Sequence, residues 1–200
     1  MTDYFDLLNE PRRPWLDSDL LKQKFLSLSA KAHPDKVHPA NESEKQAASK
    51  TFAELNAAYH CLALPKLRLL HLMQLERGTK PGDIQQIPPP VADLFTQVAA
   101  ICRDADRFLA EKAKIISPLL QVQRFERGQE WLDTLNTFQK KLGVFQDELL
   151  VKLKSLDAQW TADGSNRAEL LNGLESLYRL FSYLNRWSAQ IQERLVQLSI

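Results

Sequence analysis

The chain has 200 residues, 44% of them hydrophobic and 26% charged, which excludes the disordered and fibrous classes and leaves room for one large core or two small ones. With 26 Lys and Arg against 25 Asp and Glu, the formal net charge is +1. No global field then favours nucleic acid or acidic lipid, and neither nucleic acid nor membrane is expected as a partner. The start, MTDYFDLLNE, lacks the basic-then-apolar build of a signal peptide, and no apolar run approaches the roughly 18 residues of a membrane span, so the cytoplasm is the expected compartment. Tyr4, Phe5, Leu7 and Leu8 predict about two helical turns before Pro11. Asp17 or Ser18 then caps a second helix whose Leu21, Phe25, Leu28 and Ala32 share one face and which stops before Pro34. Ser43 and Gln46 have the spacing of a capping box for a third helix carrying Ala48, Phe52, Leu55, Tyr59 and Leu62. The two stripes predict an antiparallel hairpin with residues 33–42 at its tip.

Nine of the ten prolines lie at or before position 90, so the first part of the chain reads as short helices and turns and the second as long helices. Residues 78–90, GTKPGDIQQIPPP, read as a linker with a stiff polyproline end. Beyond it, Leu94, Val98, Ile101, Ala105, Phe108 and Ile115 form one stripe and Trp131 through Trp160 a second, longer one with weak points at Gly128 and Gly143. Leu170 through Leu198 form a third, after the turn signal Asp163-Gly164-Ser165-Asn166. Three such stripes predict an antiparallel three-helix bundle. Val, Ile and Thr number only seven each and do not alternate with polar residues, so the fold class is all-α. Residues 1–77, 78–90 and 91–200 are the expected units, with 1–77 expected to fold alone.

His33-Pro34-Asp35-Lys36 stands between the two amphipathic helices, preceded by YFDLL and followed by FAELNAAYHCLALPKLR, with Leu55-Asn56-Ala57-Ala58-Tyr59 on the second helix. Residues 2–77 thereby resemble a J domain. The run Leu64-Pro65-Lys66-Leu67-Arg68-Leu69-Leu70-His71-Leu72-Met73, followed by Gly78, resembles the HscB branch, in which a J domain is joined to a C-terminal helical bundle. General DnaJ proteins carry a Gly/Phe-rich segment and CxxCxGxG repeats, which this sequence lacks.

The resemblance implies a co-chaperone that docks on a DnaK-type chaperone, the 70-kDa heat-shock class, and accelerates its ATP hydrolysis. Asp35 takes the role of the acid that engages a basic group on that partner, and His33 and Pro34 shape the same contact. Lys36 at the tip and Lys22, Lys24 and Lys31 on the preceding helix are the candidate cations for an acidic partner surface.

The resemblance also implies that the bundle holds an iron–sulfur assembly scaffold through an apolar patch with nearby acids. Here that stretch reads Leu94-Phe95-Thr96-Gln97-Val98 with Arg103 close by, so Leu94, Phe95 and Val98 are the candidate client contacts and an unrelated client is the alternative. No catalytic role is expected. His33 and Asp35 come with neither a Ser or Cys nucleophile nor a Gly-rich phosphate loop. Cys61 and Cys102 read as small buried hydrophobes, and the spacing of His60, Cys61 and His71 fits no structural zinc pattern. No metal or cofactor is expected.

Overall fold

The computed structural model describes residues 1–32, 42–82, 88, 91–112, 118–162 and 166–199. Among these the elements are helices, and no strand occurs: α1 (Tyr4–Leu7), α2 (Ser18–Ala32), α3 (Glu42–Ala63), α4 (Pro65–Arg77), α5 (Ala92–Lys112), α6 (Pro118–Ala162) and α7 (Arg167–Ser199). The all-α fold predicted from the stripes is what the structure shows. None of these helices is long and apolar enough to cross a membrane. The chain divides into one compact unit of Met1–Gly82 with Lys152–Tyr178 and another of Asp83–Val151 with Arg179–Ile200. This differs from a division at residues 78–90, because the end of α6 and the start of α7 group with the N-terminal helices.

In the first unit, α1 is a single turn rather than two. The Asp3 carboxylate accepts the amides of Phe5 at 2.9 Å and Asp6 at 3.4 Å, and Asn9 adopts φ 52°, a left-handed conformation that asparagine tolerates. Phe5 and Leu8 are fully buried. Asp17 caps α2, accepting the amides of Asp19 and Leu20 at 3.0 Å each, and α2 ends at Ala32. α3 begins at Glu42, which places Ser43 inside its first turn rather than at its cap. The α2–α3 hairpin closes over buried Leu21, Leu55, Ala58 and Leu62, with the Phe25 and Tyr59 rings stacked at 4.3 Å. Each such buried leucine contributes about 1.5–3 kcal/mol. Pro65 opens α4, where its missing N–H has no partner to lose, and Gly78 ends it at φ 73°, its amide donating to the Gln74 carbonyl.

Residues 9–17, joining α1 to α2, form no helix or strand, so their polar groups need partners elsewhere. The buried Asp157 carboxylate of α6 accepts the Trp15 amide at 3.0 Å and two donors of the Arg13 guanidinium. Trp160 Nε1 donates to the Arg12 carbonyl at 2.9 Å, and Arg68 of α4, also buried, donates to the carbonyls of Pro14, at 2.7 Å, and Leu62. The α7 side is tied in by Arg77, which reaches Glu175 at 2.5 Å and Asn172 at 2.8 Å. Arg167 lies 3.5 Å from Glu76 with its guanidinium over the Trp160 ring.

The second unit is an up-down-up bundle. Gln97 meets Lys141 and Phe108 meets Trp131, so α5 and α6 run antiparallel. Phe95 meets Trp187 and the Cys102 carbonyl accepts from Arg194 Nε at 3.2 Å, so α5 and α7 run in the same direction. Val98, Ala105 and Phe108 of α5, Leu135 and Leu142 of α6, and Phe181, Trp187 and Ile191 of α7 are buried between them. α6 runs unbroken through Gly128 and Gly143, where an added Cβ would meet nothing within 4 Å.

A fragment of residues 1–82 lacks Asp157 and Trp160 and leaves the Arg13 guanidinium and the Trp15 amide without their buried acceptor. Its unfolding free energy in urea should fall at least about 3 kcal/mol below that of the same unit in the full chain. Equal stability would contradict this packing.

Candidate functional site

Asp17 caps α2, and this helix presents Lys22 and Lys31 to solvent. Leu20 and Leu26 are also exposed there, and Lys22 and Leu26, four residues apart, share a face of mixed charge and apolar character. Lys24 is placed differently from the free cation read in the sequence. Its Nζ lies 2.8 Å from Glu10 and donates to the Asn9 carbonyl at 3.0 Å, so it ties α2 to the 9–17 connection. His33, Pro34, Asp35 and Lys36 lie outside the described residues, within the segment that joins α2 to α3.

In the bundle, the three apolar candidates separate. Phe95 is 39% exposed, its ring 6.4 Å from that of Trp187. Leu94 is half-buried and lines a cavity of about 440 Å³ between α5 and α6, together with Gln97, Lys141, Val144, Phe145 and Glu148. Val98, one turn further along the face of Leu94, is 2% exposed and belongs to the bundle core, so it offers no surface to a partner.

Two titratable groups of the first unit are held in protonation states that suit structure rather than reaction. The Cys61 thiol lies 3.6 Å from the Leu67 carbonyl, and burial pushes its pKa up to about 11. His71 Nε2 accepts the Tyr4 amide at 3.1 Å, and its ring stacks on Tyr4 at 4.7 Å and Phe5 at 5.8 Å. Burial lowers the His71 pKa, Arg12 adds to that effect, and Asp3 opposes it. Among the described residues, no three His, Cys, Asp or Glu side chains gather as metal ligands.

The family model for the DnaJ domain matches residues 3–71. The N-terminal part of the chain is a J domain. Over nearly its whole length the chain also shares a fold with two solved chaperones. Chaperone HscB from Vibrio cholerae is 21% identical with a TM-score of 0.60, the match covering 98% of this chain and 99% of that one. The human co-chaperone protein HscB is 18% identical with a TM-score of 0.59, over 100% of this chain and 83% of that one. This likeness is one of fold: a J domain followed by a helical C-terminal region.

The J domain takes in α1, α2, α3 and the first half of α4, and the connection between α1 and α2 lies inside it. Its partners Asp157 and Trp160 lie far outside it. Sequence reasoning did not single out Arg13, Arg68, Asp157 or Trp160 as a group. One signal was present: Asp157 interrupts an apolar face at the fourth position after Leu153 and the third before Trp160, where a charge is buried only if paired.

Because the Tyr4 amide donates to His71 Nε2, the J domain folds with neutral His71. Its folded pKa lies below the ordinary 6.5, so the unfolded chain takes up the proton first and stability declines as pH falls below that value. His71→Gln keeps an acceptor for the Tyr4 amide without the charge. Between about pH 7.5 and 5.5, urea midpoints should fall for the parent chain and fall less for this variant. Equal slopes would contradict the assignment.

Proposed function

We propose that this protein is a co-chaperone that stimulates ATP hydrolysis by a DnaK-type chaperone and delivers a client to it, with iron–sulfur cluster assembly as the process. The observation that carries the reading is His33-Pro34-Asp35 between α2 and α3 of a matched J domain. The protein is then not itself an enzyme, since ATP is hydrolysed on the partner. Asp35 supplies a carboxylate next to a proline, whose fixed φ reduces the entropy lost when the acid pairs with a basic group. Lys22 and Lys31, exposed on α2, supply the cations that steer an acidic partner surface toward it. His33, Pro34 and Lys36 act with Asp35 at the contact. Residues 1–77 face the chaperone, and the bundle within residues 91–200 holds the client.

The likeness in fold to the HscB chaperones supports the iron–sulfur process. A second reading, recruitment of the chaperone to an unrelated client, is favoured by Leu94-Phe95-Thr96-Gln97-Val98, which replaces the Leu, Met and Glu pattern of the HscB family. In both, Phe95 is the anchor, since it combines a large apolar ring with exposure.

Asp35→Asn keeps size and hydrogen bonding but removes the charge. It should abolish stimulation of the chaperone's ATPase while changing stability by less than about 0.5 kcal/mol. Full stimulation by the folded variant would remove the mechanism. Lys22→Ala and Lys31→Ala should weaken association more at low salt than at high, as titrations in the two buffers would show. Phe95→Ala should cost about 2 kcal/mol of affinity for an iron–sulfur scaffold protein, read by calorimetry. Unchanged binding would place the client elsewhere.

A further inference from the structure

Asp157 sits in a position with more to do than hold one ion pair. It is 3% exposed, and its carboxylate accepts Arg13 Nε at 3.1 Å, a second Arg13 donor, and the Trp15 amide at 3.0 Å. Arg68, also 3% exposed, spends its donors on the carbonyls of Pro14 and Leu62 and feels Asp157 as its opposing charge. One carboxylate therefore serves the Arg13 guanidinium and a backbone amide of the same connection that Arg68 holds through the Pro14 carbonyl.

All of these partners converge on the connection between α1 and α2. Two residues beyond Trp15, Asp17 caps the first turn of α2 through the amides of Asp19 and Leu20. From the second turn, Lys24 returns to Glu10 and the Asn9 carbonyl. The start of α2 and the 9–17 connection thus form a closed loop, and the anchor of that loop is on α6, outside the J domain match.

We infer that Asp157 is a positioning residue for the chaperone-stimulating activity: from α6 it fixes residues 9–17, and through them the direction in which α2 presents its partner face. The inference rests on the function proposed above. It assigns that activity a determinant in the C-terminal half of the chain, at a residue that need never touch the chaperone. A group that positions the docking face changes how tightly that face binds, while the hydrolysis step reached at saturation depends on Asp35 and is preserved.

The test uses full-length protein carrying Asp157→Asn, which retains volume and an acceptor for Trp15 but removes the shared charge. Amide hydrogen exchange should quicken at least about tenfold at Trp15, Asp19 and Leu20, with the amides of Leu55 and Leu62 on α3 unchanged. In ATPase titrations of a purified DnaK-type chaperone, the half-saturating concentration should rise at least about fivefold with maximal stimulation within about twofold. Both are read at a temperature where circular dichroism shows the variant folded. Unchanged exchange, or an unchanged half-saturating concentration, in the folded variant overturns the inference. If Asp157→Asn fails to fold, Arg13→Gln removes the other side of the pair, and the same two readouts decide. Asp35→Asn separates the two ideas, since it should lose stimulation without altering exchange. A parent chain that stimulates nothing defeats the proposed function, while the exchange data still decide whether Asp157 fixes α2.

Discussion

A buried carboxylate paired with Arg13 and bonded to the Trp15 amide ties the connection between α1 and α2 to the end of α6. Asp157 is paired with Arg13 and stands as the opposing charge to Arg68, whose burial pulls its pKa down to about 10. Such a cluster is asymmetric in its energetics. Intact, it contributes little beyond what well-packed apolar residues of the same volume would supply, whereas losing one member strands the others and costs roughly 3–5 kcal/mol. What it adds is definition, because the 9–17 connection has no ladder of its own and adopts the course that satisfies Asp157, Trp160 and Arg68 together. The end of α6 and the start of α7 belong with the J domain for this physical reason.

That arrangement suits the proposed role, in which the protein works by presenting a surface. In that role the J domain carries out no bond-breaking step, so its performance depends on where a few groups point. The exposed lysines of α2 would each be worth little as isolated surface charges, about 0.2–1 kcal/mol, and in the proposed role they would act through the rate and salt dependence of encounter. Their usefulness rises when the helix that bears them is fixed at its start. In the bundle the same logic separates Phe95, which retains an accessible ring, from Val98, whose side chain is consumed by the core.

Much of this was legible from local pattern. Asp17 caps α2, which ends at Ala32 ahead of Pro34 in the sequence, and Pro65 opens α4 where its missing amide is harmless. Leu21, Leu55 and Leu62 are buried as their spacing requires. The stripes of α5, α6 and α7 also carried the bundle. Less legible was anything that depends on partners distant in sequence. Arg13 and Asp157 are 144 residues apart, and neither lies in a pattern that names the other. Reading residues 153–160 as part of an apolar stripe passed over the acid within it. Lys24 looked like a free cation because its partners, Glu10 and the Asn9 carbonyl, lie in a connection without periodicity. The capping-box spacing of Ser43 and Gln46 was real, but α3 starts one residue before Ser43.

The central claim is that the J domain and the residues 152–178 that pack with it open as one cooperative body. Native-state hydrogen exchange of the full-length chain, followed at the Trp15 amide across a urea series, tests this most directly. That amide is bonded to Asp157 and should open with the free energy and urea dependence of the Leu153 and Leu174 amides, which belong to the same buried body. A Trp15 amide that opens at much lower free energy, with the helical amides still protected, would show the connection detaching by itself and would contradict the account.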